Sequence, residues 1–257
     1  MPTKPTKGSR KTTKKARTTT ARTKLTTHVA IVLDRSGSMW LIREPTVSAF
    51  NEQIKSIQTN SKGFKRTTVS LVTFSYKPDA PAIWMKDADE LKELNRDDYV
   101  PNGTTALFDA VGWTINEFKK LPDAEDKNTA FLVVVISDGQ ENSSTNFNSE
   151  KIAALVKECQ DTKHWTFTYL GANQDLSQVS KQLGIPMANT QAFTASAAGV
   201  QTLSHTHSIN NASYFSARGV GATQTSAFYS GSADVLDDDE NATTGSAKKT
   251  TIKKSKK

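Results

Sequence analysis

Apolar residues cluster along this chain in short unbroken runs. His28–Asp34 (HVAIVLD) is apolar from Val29 to Leu33 and ends in an acid. A run of that length between polar residues predicts a strand buried on both faces. Thr68–Ser75 (TVSLVTFS) and Trp165–Leu170 predict further strands, and Thr129–Ser137 (TAFLVVVIS) gives the strongest strand signal in the chain. Ala82–Lys86 (AIWMK) predicts a short strand near an edge, and Met187–Phe193 a last edge strand.

Between these runs the apolar spacing lengthens to three and four. Val47, Phe50, Ile54 and Ile57 share one helical face, as do Leu107, Val111, Ile115 and Phe118, and then Ile152, Val156 and Cys159. Asp175–Leu183 predicts a short helix stopped by Gly184 and Pro186. Ala195 to about Ala217 predicts a final helix, rich in Ser, Thr and Asn. Strands alternating with helices imply βαβ units: an α/β domain with a parallel sheet and helices on both faces. No internal repeat is visible.

The ends of the chain break the pattern. Residues 1–24 hold nine Lys or Arg, eight Thr and no acid; residues 244–257 hold six Lys and a single Ile. Such segments cannot bury enough apolar surface to offset the entropy of ordering. The expected organisation is a disordered basic arm over 1–24, a folded domain over 25–218, and a linker with an acidic run and Lys-rich tail over 219–257. The net charge of +7 is therefore a composite, because the middle carries 18 basic residues against 26 acidic ones. Charge segregated in this way predicts polyanion contacts, including non-specific nucleic acid, through the arms rather than the fold. The arms lack aromatic residues for base stacking.

Cys159 is the sole cysteine, which rules out an intramolecular disulfide and fits a reducing compartment. No apolar segment near the start resembles a secretory signal, and the longest apolar run, Phe131–Ile136, is far short of the roughly 20 residues that span a bilayer. The expected location is the cytoplasm, with bacterial and phage-infected cells both compatible.

In parallel sheets, ligands bind beyond the carboxyl ends of the strands. Asp34-Arg35-Ser36-Gly37-Ser38-Met39 follows the first strand, and Ser137-Asp138-Gly139-Gln140-Glu141-Asn142 follows the strongest one. Asn102-Gly103-Thr104-Thr105 precedes the helix at Leu107. Two carboxylates and three hydroxyls, all hard oxygen donors, suit Mg²⁺, with Mn²⁺ as the alternative. Gly37 is expected to permit a tight turn between the serines. No Cys/His set accompanies these loops, which argues against zinc.

Asp34-x-Ser36-x-Ser38, a later Thr after a Gly, and a later Ser-Asp-Gly together resemble the metal-ion-dependent adhesion site of von Willebrand factor A domains. The resemblance covers about 190 residues and is similar in detail to bacterial and phage members. It implies a single doubly wound, Rossmann-like domain with a mostly parallel six-stranded sheet and one antiparallel edge strand. It also implies that Asp34, Ser36, Ser38, Thr105 and Asp138 hold the metal, directly or through water. Thr104 stands where a second Gly is usual, so Thr105 is assigned by registering Ala106-Leu107-x-Asp109. Gln140 stands where an acid is common.

The donor count leaves one metal position for an outside oxygen, ideally a Glu or Asp carboxylate of a partner protein. Catalysis is not expected. A phosphoaspartyl hydrolase needs a second Asp two residues after the nucleophile, where Ser36 stands, and no Gly-x-Ser-x-Gly elbow or phosphate-binding P-loop motif is present. His205-x-His207 reads as part of a solvated helix. Trp40 is expected at the docking surface, Trp113 and Trp165 in the core, and Cys159 as an inert core residue. Asp237–Glu240 lacks the glycine and spacing of a calcium loop and reads as solvated linker; the sharper alternative is that it occupies the metal of a neighbouring chain.

Overall fold

A computed structural model describes residues 22–172 and 174–230. The sheet has six strands: β1 (Thr26–Asp34), β2 (Arg66–Phe74), β3 (Ile83–Asp87), β4 (Thr129–Ser137), β5 (Trp165–Ala172) and β6 (Thr190–Phe193). Their spatial order is β3-β2-β1-β4-β5-β6. All neighbours are parallel except β2 and β3. β3 is the antiparallel edge strand, and its register slips between Val69 and Leu71, where Met85 takes a φ of 51° and its N–H donates to Ser70 Oγ. A bulge on an edge strand disfavours pairing with another chain.

Among the described residues five α-helices pack on the sheet: α1 (Arg43–Asn60), α2 (Leu107–Lys119), α3 (Ser149–Asp161), α4 (Leu176–Leu183) and α5 (Ala197–Arg218). Alternation along each strand divides the core in two. Val29, Ile31 and Leu33 of β1, with Leu132 and Val134 of β4, face α1 and α5. Ala30, Val32, Val133, Val135 and Phe167 face α2 and α3. Both faces of the central strands are covered, so those strands read as continuous apolar runs. Trp165 and Cys159 lie in the second core as expected, whereas Trp113 is half-buried against Trp84 with ring centroids 5.4 Å apart. No helix among the described residues is long and apolar enough to cross a membrane.

Three expectations require correction. The polar face of α5 is not solvated. Ser204, His207, Asn210 and Asn211 are buried. Asn211 Nδ2 donates to Gln53 Oε1 at 2.7 Å, and Gln53 Nε2 donates to the Ser204 carbonyl. This polar pairing with α1 sits within the apolar packing of the first core, and hydropathy alone cannot distinguish it from a wet face. His205 is exposed, while His207 lies inside, its Nδ1 2.7 Å from the Tyr229 hydroxyl.

The fold also extends beyond residue 218. Phe228 is buried in the first core, its N–H donating to Asn189 Oδ1, and Thr225 N–H donates to Thr166 Oγ1. The Ser/Gly-rich composition around Phe228 and Tyr229 concealed these anchors. At the other end, the Arg22 carbonyl accepts from Lys65 N–H and the Arg22 guanidinium lies 5.5 Å from the centroid of the Phe64 ring, so structure begins before residue 25. Residues 1–21 and 231–257, holding most of both expected disordered segments and the acidic run, lie outside the described residues.

Candidate metal centre

β1 is flanked by β2 on one side and β4 on the other, and the chain leaves these strands in opposite directions across the sheet. That switch opens a crevice beyond their carboxyl ends. Leu33 is in register with Ile136, so Asp34 and Ser137 end their strands at one level. The loops after β1 and β4 therefore face each other across the crevice.

Asp34 is fully buried and held at several points. Its carbonyl accepts from the Tyr99 hydroxyl. Its Oδ1 accepts from Ser36 N–H at 2.7 Å and its Oδ2 from Ser137 Oγ at 2.6 Å. Ser36 is the N-cap of a 3₁₀ turn over Gly37–Ile42, which carries Ser38 around beside it. The Ser36 and Ser38 hydroxyl oxygens are 3.1 Å apart, and Ser38 Oγ donates to Asp138 Oδ1 at 2.7 Å. Gly37 does not have a positive φ, so the turn does not need glycine for that reason; its N–H donates to the Gly103 carbonyl and joins the first loop to the second.

The second loop brings in Thr105. Gly103, with φ 81°, turns the chain, and Thr105 N–H donates to Asn142 Oδ1 while the Thr105 carbonyl accepts from Asn142 N–H. Thr105 is buried and Thr104 exposed. A methyl group placed on Gly139 would lie 2.8 Å from Thr105 Oγ1 and 3.6 Å from Asp34 Oδ2. The third loop thus passes closely by both groups at a residue with no side chain. All five sequence-derived residues, Asp34, Ser36, Ser38, Thr105 and Asp138, meet at this edge.

Sequence reasoning missed the groups that hold these five in place. Ser137 fixes one carboxylate oxygen of Asp34, Tyr99 its carbonyl, and Asn142 both backbone groups of Thr105. Glu141 Oε2 accepts from Phe108 N–H at the start of α2, and its Oε1 accepts from Ser143 and Ser144 N–H. Asp109 accepts the N–H groups of Thr145, Asn146 and Phe147. Burial raises the Asp109 pKa, but those N–H donors outweigh it and hold the carboxyl below its usual range. The Asp109 used to register the second loop is therefore a clamp on the third.

The electrostatics favour a cation. Burial pushes the Asp34 carboxyl up to about 6; hydrogen bonds from Ser137 and Ser36 oppose this, and the charge on Asp138 adds to it. Burial raises Asp138 as well, against its hydrogen bond from Ser38. Two carboxylates whose ionised forms are both disfavoured gain from a positive charge between them. Among the described residues no three His, Cys, Asp or Glu side chains gather as a metal site, so hydroxyls must complete any coordination here. Two acids and three hydroxyls are a hard, oxygen-only set of the kind Mg²⁺ takes alongside water. Beside them lies a cleft of about 270 Å³, lined by Leu107, Phe108, Gly139, Gln140, Glu141 and Gln174 among others.

Comparison with known proteins agrees with this architecture. No curated protein sequence matches the chain. Proximal thread matrix protein 1 from the mussel byssus is similar in structure, with a TM-score of 0.50 at 16% sequence identity, over 71% of this chain and 45% of that one. Another structure of that protein, with a zinc-occupied MIDAS motif, gives 0.48 at 15% identity, over 72% and 45%. A von Willebrand factor type A structure from Catenulispora acidiphila gives 0.47 at 13% identity, over 74% and 43%. This chain thus spans less than half the length of each, and likeness at such identity concerns the fold alone. The model of the von Willebrand factor type A domain matches residues 28–206, and the chain belongs to that family.

Proposed function

We propose that this protein binds a divalent cation of the Mg²⁺ class through Asp34, Ser36, Ser38, Thr105 and Asp138, and uses it to capture a Glu or Asp side chain of a partner protein. The observation that carries the reading is the convergence of these five side chains from three loops on one crevice, the two carboxylates linked through Ser36 and Ser38. Mg²⁺ is preferred over zinc because all the donors are oxygen. The bound ion supplies a charge that a partner carboxylate can coordinate. The chain's own residues do the rest: Ser137 and Ser36 orient Asp34, Asn142 positions Thr105, and the cleft beside Gly139 accepts the residues flanking the captured acid.

Catalysis is not part of this proposal. His28, which contacts both Thr68 and Asp123, is buried near the start of β1, away from the carboxyl edge. We place the protein in the cytoplasm, which fits a lone thiol at Cys159 that is buried and, through burial, pushed up to about 12.

The test has two parts. Calorimetry with Mg²⁺, Mn²⁺ and Zn²⁺ should show saturable uptake of Mg²⁺ or Mn²⁺ that Asp34→Ala abolishes. Pull-down from the native source should recover a partner that EDTA releases and Asp34→Ala fails to capture. Absence of uptake of any of the three ions sinks the proposal. A second activity is supported by the charge segregation: the arms at 1–24 and 244–257 carry fifteen basic residues and no acid. Nucleic-acid binding through them should weaken steeply with salt, survive EDTA, and vanish when both arms are removed.

A further inference from the structure

The cleft beside the metal loops is rich in side-chain amides. Gly139, which passes close to Thr105 and Asp34, lines it, and α4 contributes Gln178, Val179 and Gln182. Gln140 and Gln174 come from the loops after β4 and β5. Gln174 is fixed in place. Its Oε1 accepts from the Tyr169 hydroxyl at 2.6 Å, and its Nε2 donates to the Gly139 carbonyl at 2.8 Å. The side-chain amides of Gln140, Gln178 and Gln182 have no hydrogen-bond partner among the described residues.

The spacing of two of these amides matches an extended chain. Gln178 and Gln182 are four residues apart on α4, so their side chains leave one helix face about 6 Å from each other. An extended peptide repeats every two residues, or about 6.4–6.8 Å, and turns the N–H and C=O of alternate residues to the same side. A glutamine amide offers both an acceptor and donors. The pair can therefore bond two alternate residues of one strand, with the side chains absorbing a mismatch of under about 1 Å. The cleft volume of about 270 Å³ is that of about nine waters. It accepts a short length of main chain and is too small for a helix about 10 Å across.

Charge restricts the occupant further. Two carboxylates line the cleft, Glu141 and Asp175, and no Lys, Arg or His does. Both hold the protein's own backbone: Glu141 accepts from the N–H groups of Phe108, Ser143 and Ser144, and Asp175 caps α4. Neither is in an ion pair among the described residues. A second acid entering beside the captured one would meet like charge.

We propose that the partner segment held at the cation is an extended strand whose main chain lies along α4, bonded to the amides of Gln178 and Gln182, and whose residues next to the captured acid on that side are not acidic. This inference rests on the cation reading above and deepens it. The cation fixes one carboxylate, the glutamine pair reads the backbone beside it, and Glu141 and Asp175 reject a second acid.

Synthetic nine-residue peptides on beads provide the probe, each with a central Glu and all other positions varied. The labelled full chain is bound in Mg²⁺, and beads that lose it on EDTA addition are sequenced. The sequences should be depleted of Asp and Glu at the two positions beside the central Glu on one side. In solution, fluorescence anisotropy should show a recovered peptide binding Q178A/Q182A at least about tenfold more weakly than wild type. Gln178 is exposed and Gln182 half-buried, and Ala is favourable in a helix, so this variant is expected to fold. Methylating two alternate backbone nitrogens of the peptide on that side should weaken binding to wild type by a similar factor and cost little further against Q178A/Q182A, because both changes remove the same bonds. Equal binding by the variant, or methylation that costs the variant as much as wild type, overturns the proposal. So does enrichment of acids on both sides of the central Glu, or the absence of any EDTA-released peptide from a chain that takes up Mg²⁺ in calorimetry. No Mg²⁺ uptake by wild type removes the cation reading as well.

Discussion

Replacing Asp34 by Asn should make the metal-free protein more stable while abolishing its response to magnesium. Asp34 is fully buried, and its carboxyl is pushed up from 3.8 to about 6, chiefly by burial. For an acid whose folded pKa lies above its unfolded one, the cost is absent below pH 3.8, grows through the interval, and is complete above about pH 6. A shift of roughly two units corresponds to about 3 kcal/mol at neutral pH. Asn keeps the shape and removes that cost. Its carbonyl can accept from Ser36 N–H where Oδ1 did, and its amide can donate to Ser137 Oγ, which can turn its own proton to the Gly139 carbonyl 3.1 Å away.

Allowing for imperfect geometry, a net gain of about 2 kcal/mol is expected in chelator, or about 4–8 °C in Tm for a domain of this size. Urea unfolding at pH 7.5, followed by circular dichroism with EDTA and in parallel with excess Mg²⁺, gives both quantities. Wild type should gain about 2.7 kcal/mol at a hundredfold excess of Mg²⁺ over Kd, and Asp34→Asn nothing, so the order of stability reverses. A metal-free variant less stable than wild type by more than about 1 kcal/mol would refute the burial argument. An equal response to Mg²⁺ would refute Asp34 as a ligand.

Gly139→Ala places a methyl 2.8 Å from Thr105 Oγ1 and should cost about 1–3 kcal/mol while weakening Mg²⁺ uptake at least tenfold, read by the same unfolding and calorimetry. Arg218 is fully buried and donates to the carbonyls of Ala222, Thr26 and Asn128, so Arg218→Ala should cost about 3–5 kcal/mol in urea unfolding, with Mg²⁺ affinity little changed in the folded fraction. Burial pushes His207 down to about 3, so it is neutral in the fold and takes up a proton on unfolding below about pH 6.5. Its stabilising contribution is complete above pH 6.5 and is lost as pH falls toward 3. His207→Gln should therefore flatten the dependence of unfolding free energy on pH between 4 and 6 by up to about 1.4 kcal/mol per unit; an unchanged slope would count against a buried neutral imidazole.

The parts of this protein legible from sequence are those where one physical demand dominates. β1 and β4 are buried on both faces, so Val29–Leu33 and Ala130–Val135 had to be apolar throughout, and their positions could be read directly. The five proposed ligands were legible because short polar loops follow or flank such strands. Less legible were residues whose role is to satisfy another residue. Ser137, Tyr99 and Asn142 have no periodicity, and only the folded crevice shows that each completes a hydrogen bond around Asp34 or Thr105. The same holds for α5, where Gln53, Ser204 and Asn211 are buried because they pair with one another, while composition alone makes them appear solvated.

This difference bears on how the site works. Ligand identity alone yields a loose cluster of oxygens on flexible loops, whereas recognition of a partner's carboxylate needs an ion held in one orientation. The orientation comes from backbone: the Gly103 carbonyl bonded to Gly37 N–H, the Thr105 backbone paired with Asn142, and three successive N–H groups bound to Asp109. These links tie the three loops together without using any of the five proposed metal oxygens. Substitutions at Asn142 or Asp109 should accordingly loosen the geometry around an intact ligand set, and substitutions at Ser36 or Ser38 should remove ligands from an intact frame. On the proposed reading, a frame separable from its ligands in this way would be in place before an ion arrives, and affinity for a partner would depend on what surrounds the ion, at exposed Trp40 and Leu41 and in the cleft beside Gly139.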